Sequence, residues 1–405
     1  MVPALRQAYN QAFTNGAYKA FVQETENLHP GGLEFRLAET PIFCDKIFTE
    51  KIVAACEQIV DVILDPSYND MTAKAIPENL RVPGHEGRPH FIAFDFGVCI
   101  NEQNELEPQL IEMQGFPTLF AYQAYYSEIT RKHFHIPDNY SSYLNGFNKE
   151  SYLQLLREII VGPHRPEEVI LLEVLPHQQK TRIDFYCTEK ALGIPIVCLT
   201  ELIKEDRSLF YMRDNEKKPV KRIYNRLIFD DLQQQNDAIR KQGEILLQDL
   251  DVEWVTHPNW FYRISKYTLP FIKHEYVPET IFLDQVKELP TDLENYVLKP
   301  LFSFAGQGVI IDLTQEDIKK VADPQNWILQ RKVTYAEVIE TPDIAAKAEI
   351  RIFYFWPEGA ARPIATHNLG RLSKGKMIGV RYNKDKEWVG GTIIYFEQEK
   401  SGTHS

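Results

Sequence analysis

The stretch Asn295–Asp312, NYVLKPLFSFAGQGVIID, carries Lys299 at the end of an apolar run and two glycines, Gly306 and Gly308, in the loop beyond it. Tyr296–Leu298 and Val309–Ile311 read as two strands joined by that loop. Glycine adds no Cβ and tolerates unusual φ/ψ, so such a loop can lay backbone N–H groups along phosphate oxygens. Lys299 would bring a point charge to the same oxygens. A solvated surface hairpin fits the same letters.

A second set lies almost two hundred residues upstream. His90–Ile100, HFIAFDFGVCI, reads as a strand with Asp95 in its middle, and Gln109–Met113 as another that runs into Gln114. Alternation puts Glu112 and Gln114 on one face, and Asp95 joins them if the two strands are hairpin neighbours. Two carboxylates and a carboxamide are hard oxygen donors, the kind Mg²⁺ takes together with substrate phosphates. An acidic strand pair facing water is the other reading. It is weakened by Phe94, Phe96 and Val98 around Asp95, where a lone carboxylate is costly.

The elements that must position these groups belong to a chain of 405 residues, long enough for two or three domains. Its 44% hydrophobic and 25% charged composition is that of a globular protein. A net charge of -12 argues against a duplex nucleic-acid binder and leaves room for a local basic pocket. The first residues show no apolar signal region and no run has membrane-spanning length, which predicts a cytoplasmic protein without a membrane partner. Five scattered cysteines predict buried, reduced thiols.

Helical spacing predicts a helix over Thr49–Leu64 and polar helices before a break at Pro30-Gly31-Gly32. Further helices are expected at Thr118–His135, Glu150–Val161, Lys180–Leu192, Ser265–His274 and Asp230–Leu250. Strand Val169–Val174, the helix at 180–192 and strand Ile194–Thr200 form a β-α-β order, which predicts a parallel α/β unit. Arg226 follows strand Val220–Tyr224, at the strand end where open α/β sheets place ligand groups. Strands Trp327–Val333 and Ala348–Trp356 follow, the second with Arg351 inside it.

Several of these pieces together resemble the ATP-grasp superfamily. They are Lys266 with TLPFIKHEYVPET, the flap YVLKPLFSFAGQGV, WILQRKV, AEIRIFYFW, LGRLSKG and RYNKDKEWVGG, in order between residues 266 and 391. The superfamily usually continues past its Gly-Gly strand with a helix, an Asp-bearing strand and a strand ending in Glu-x-Asn. Here those pieces stand first, as the helix at 49–64, Asp95, and Glu112-Met113-Gln114. The order resembles a circularly permuted ATP-grasp fold. FDFGV with QLIEMQGFPTLF is similar to a block of glutathionylspermidine synthase-like proteins. Two positions depart from it: Gln114 replaces an asparagine, and Ala93 replaces an arginine that contacts phosphate. The amidase domain of bifunctional members has no counterpart in these residues.

The resemblance implies an α/β (α+β) fold: a permuted ATP-grasp fold with an inserted parallel α/β substrate subdomain. The expected divisions are an N-terminal helical extension (1–44), the permuted metal-ligand part (45–160), the substrate subdomain (161–255), the lobes with the flap (256–396) and a tail (397–405). It further implies ATP and Mg²⁺ as cofactors. Lys266 and Lys299 would meet the phosphates, under a flap containing Ser303, Gly306, Gln307 and Gly308. The hinge Gln330, Arg331, Lys332 and Val333 would hold the adenine, and Asp95, Glu112 and Gln114 the metal. Arg351, Arg226 or Arg371 would stand in for the arginine missing at Ala93. The implied reaction joins a small-molecule carboxylate to an amine through an acyl phosphate, with His177, Arg182, Arg222 and Arg226 lining the acceptor pocket. Superfamily members often form homodimers. A nucleotide binder without turnover and a small-molecule kinase are the alternative readings.

Overall fold

The computed structural model describes residues 1–302, 307–376, 378 and 383–399. Its centre is a five-stranded antiparallel sheet, and sequence order does not set strand order there. Gly390–Thr392, Ile364–Ser373, Lys347–Phe355, Phe91–Ile100 and Leu106–Gln114 lie side by side in that sequence. The early hairpin is therefore hydrogen-bonded to the late strands, with Asp95 opposite Arg351 and Glu349 opposite Gly97.

Alternation explains why this sheet is buried on both faces. Ile92, Phe94, Phe96, Ile350, Ile352 and Tyr354 pack on one side with helix Lys46–Leu64. Phe91, Ala93, Phe353 and Phe355 pack on the other with helix Phe120–His133. Ala93 thus faces an aromatic cluster, where an arginine would lose its hydration.

A smaller antiparallel sheet places Trp327–Arg331 between Thr280–Phe282 and Tyr296–Pro300. Leu298 and Leu329 point into a small core below it, with Leu283, Leu293 and Leu313. Lys299, Val297 and Gln330 occupy the opposite face. The expected strand after the flap is reduced to one bridge, Ile310 with Leu298. Ser303 and Gly306, and the Arg381-Tyr382 pair of the C-terminal motif, lie outside the described residues.

The parallel unit forms as the β-α-β order predicts: Glu253–Val255, Arg222–Asn225, Val169–Glu173 and Ile196–Cys198 pair in parallel, with helix Arg182–Leu192 as the crossover. Two expected helices are shorter than their periodicity suggests. Ser265 caps Tyr267, but Pro270 confines the Lys266 segment to a 3-10 turn, Lys266–Phe271. The run 230–250 splits into Phe229–Gln233, Asp237–Gly243 and a 3-10 turn because Asn236 caps a new helix at Ile239.

Candidate active site

The register of the large sheet builds the site row by row. Asp95 stands opposite Glu112 and Ala93 opposite Gln114, so Asp95, Glu112 and Gln114 share one face. A register shift between Asp95 and Phe96 leaves Ile111 out of the pairing. Across the next strands Arg351 pairs with Asp95, and Arg371 with Glu349. Gly97 occupies the neighbouring position because Tyr335 packs over it; a Cβ there would come within 2.8 Å of the Tyr335 ring.

Asp95 is buried and held at both oxygens. Arg351 donates from Nε at 2.5 Å and Nη2 at 2.6 Å, and Arg371 donates from Nη2 at 2.7 Å. Burial alone would push this carboxyl up, but the guanidinium of Arg351, followed by that of Arg371, draws it below its ordinary value. Arg371 also reaches Glu349 at 3.1 Å, and Tyr335 Oη donates to Glu349 at 2.7 Å. Burial lifts the Glu349 carboxyl, with Arg371 opposing it and Asp95 adding to it. Sequence reasoning missed Glu349. The signal was the alternation of AEIRIF, which puts Glu349 on the face of Arg351.

Facing this row across a cleft of about 990 Å³ are Lys266 and Lys299, both buried. Lys299 donates to Gln330 Oε1 at 2.5 Å and to the Ile111 carbonyl at 3.3 Å; Gln330 donates in turn to Thr280 at 3.0 Å. These acceptors are neutral. Burial, followed by the Lys266 charge, pushes Lys299 down to about 8. Burial likewise lowers Lys266, partly offset by Glu112. Two desolvated ammonium groups in one cleft favour an incoming anion, since an anion removes the cost of holding both charged.

The hinge Gln330–Val333 lines the same cleft and connects the two sheets: Ile100 N–H donates to Thr334, and Ala336 N–H to Val98. Arg331 and Lys332 give their N–H groups to Glu279 and Asn295, so neither is open to a ligand. Among the described residues the Val333 N–H has no backbone partner.

The structure separates other predicted residues from the cleft. Arg226 donates to the Pro117 carbonyl at 2.7 Å and stacks over Phe116, on the far side of Glu112, near Glu173, whose carboxyl burial lifts to about 8. It therefore does not replace the arginine absent at Ala93; Arg351 and Arg371 are the guanidiniums at the row. Arg222 is tied to Glu253 and to the carbonyls of Ile159 and Ile160, and Arg182 to Glu34. His177 stacks on Tyr186. These three contacts are structural and do not converge on one pocket.

The oxygen donors do not fit a divalent ion as they are arranged. Asp95 is taken by two arginines, and Gln114 donates its amide N–H to Glu112 at 2.8 Å. Mg²⁺ needs near-octahedral oxygen coordination. Among the described residues no group of three or more His, Cys, Asp or Glu is placed to hold a metal.

The fold with this site belongs to a known structural class of mixed helices and sheets. A glutathione synthetase-like effector from Globodera pallida, solved in its apo form, superposes with a TM-score of 0.57 at 8% identity, over 95% of this chain and 98% of that one. The likeness is one of fold, glutathione synthetase-like in outline. No protein-family model and no curated protein sequence matches the chain.

Proposed function

We propose that the protein is an ATP-dependent carboxylate–amine ligase with an ATP-grasp fold in circularly permuted order. The observation that carries this reading is the pair of buried lysines, Lys266 and Lys299, converging on one cleft between two sheets. The strand order adds support, because the hairpin of Asp95 and Glu112 joins the late strands in space despite standing first in sequence.

Bound ATP supplies a phosphoryl group: a carboxylate oxygen attacks the terminal phosphorus, ADP leaves, and an amine nitrogen then attacks the acyl carbon with loss of phosphate and a proton. The chain's part is to position and to neutralise charge, which is most of what phosphoryl transfer requires. Lys266 and Lys299 bind phosphate oxygens, and Val333 N–H meets the edge of the base. Arg371, oriented by Asp95 and Glu349, brings a guanidinium to the cleft wall, and Arg351 behind it fixes Asp95. Gln307 and Gly308 close over the cleft from the flap.

Calorimetry with ATP and an assay of ADP release test the proposal. Lys299→Ala abolishes ATP binding, while Glu112→Ala spares binding far more than turnover. Full activity in both variants sinks the ligase reading. One observation favours a nucleotide binder without turnover: both Asp95 oxygens are occupied by arginine. Tight ATP binding with no ADP release under any acid and amine would select that reading. ADP release independent of an added amine would select a kinase.

A further inference from the structure

A second chamber of about 1150 Å³ lies beyond Arg371, which lines both it and the nucleotide cleft. Its walls are mostly apolar: Phe35, Leu119, Tyr122, Tyr126, Leu369 and Val389. The polar members of the lining include Arg36, Lys180, Thr181 and Asn383 beside Arg371. Tyr122 Oη, Gln123 Oε1 and Arg371 Nε are buried and have no hydrogen-bond partner among the described residues. Tyr122 and Gln123 are each almost fully buried, at 1% and 2% exposure. Native interiors rarely leave such groups unpaired, and three on residues of one chamber wall point to side chains that turn to meet a ligand.

The Gly390-Gly391 pair gives an independent indication. Gly390 is required by the backbone: its φ is +126°, and a Cβ would strike the Arg36 carbonyl at 2.3 Å. Gly391 has no left-handed φ, and a Cβ there would meet the Phe35 ring at 3.5 Å and the Arg36 carbonyl at 3.8 Å, both ordinary contacts. Backbone geometry does not demand glycine at 391, and a larger side chain there, opposite Arg371 in the ladder, would take up space on the chamber wall.

We infer that this chamber takes the acid substrate, a carboxylic acid with an aromatic or branched apolar body, its carboxylate at the guanidinium of Arg371 and its body between Phe35, Tyr122 and Leu369. The inference rests on the ligase reading for the acid's role and on the chamber alone for its binding. An acid held at Arg371 reaches the end of the cleft opposite the hinge, where a terminal phosphate would lie. A polar acid such as glutarate would leave the aromatic walls unfilled.

The test is calorimetry on the full chain with 3-phenylpropionate, glutarate and ATP, each alone. The expected result is binding of 3-phenylpropionate in preference to glutarate. Gly391→Val weakens it about tenfold or more, and ATP affinity stays unchanged. Leu369→Ala enlarges the chamber and moves preference towards 3-(2-naphthyl)propionate by about tenfold, a gain that misfolding cannot imitate. Equal affinity for glutarate, or no shift of preference in Leu369→Ala, overturns the inference. ATP binding without aryl-acid binding removes the chamber assignment and leaves the ligase reading standing. Aryl-acid binding without ATP binding does the reverse.

Discussion

Lys299 shows how one side chain links sequence chemistry to site behaviour. Its ordinary value of 10.5 falls to about 8 in the fold, so between those values the unfolded chain binds more protons than the native one. The cost of a charged, buried Lys299 is therefore full below about pH 8 and is relieved as pH rises towards 10.5. Ligand binding runs the other way, because a phosphate needs the charged form. ATP affinity in calorimetry is expected to fall as pH rises through 8, and Lys299→Met to flatten the stability profile in urea titration. Asp95 is the converse case, a carboxylate that neutralises two guanidiniums. Asp95→Asn leaves Arg351 and Arg371 short of charge in a buried row. Unfolding free energy should drop by about 3–5 kcal/mol. A loss no greater than that of Glu112→Gln, in the same urea titration, would show that the row does not depend on this ion pair.

At the scale of elements, the site is a product of register. A slip of one residue in Phe91–Ile100 would turn Asp95 into the Ile-rich layer and Phe94 or Phe96 into the cleft. The short strand Gly390–Thr392 is held by a backbone approach and by the Thr392 hydroxyl, which donates to the Thr40 carbonyl at 2.7 Å. Gly391 N–H donates to Arg36 and Gly391 accepts from Ala38, both at 2.9 Å. That approach leaves no room for a Cβ at Gly390. Gly390→Ala should cost about 1–3 kcal/mol in thermal denaturation. Gly391→Ala should cost much less, because its Cβ makes only ordinary contacts, with the Phe35 ring at 3.5 Å and the Arg36 carbonyl at 3.8 Å. Equal losses would mean that the strand tolerates displacement from the Arg36 segment.

For the molecule as a whole, the first residues and the last are packed into each other. Ile42–Cys44 runs parallel to Ile394–Glu397, Leu37 bridges to Gly391, and the N-terminal ammonium pairs with Asp45 at 3.2 Å. Tyr9, Phe21 and Phe43 are buried in the core cluster that holds Phe91, Phe355 and Tyr395. Each large apolar side chain buried contributes about 1.5–3 kcal/mol. Three of them match much of a domain's usual margin of about 5–15 kcal/mol. Removing residues 1–44 is expected to give a chain without a cooperative thermal transition. A sharp unfolding transition in the truncated chain would show that the segment is an addition to a self-sufficient fold. All five cysteines are buried and unpaired, so disulfides take no part in this stability.

The sequence by itself determined what is periodic or local. Alternation announced the shared face of Glu112 and Gln114, and the β-α-β order announced the parallel unit. Lys299 before its glycines was legible as a phosphate-seeking group from residue type and neighbours, whereas Lys266 was legible only through the family resemblance. Only the tertiary structure decided which charges meet. Asp95 and Arg351 are separated by more than two hundred residues, and no local pattern tells that strand pairing sets them opposite each other. That pairing turned an expected metal ligand into the anchor of two guanidiniums. The same long-range packing took Arg226 out of the cleft and brought Glu349 and Tyr335 into it. Long-range register depends on which apolar faces can be buried together, and that is a property of the whole core.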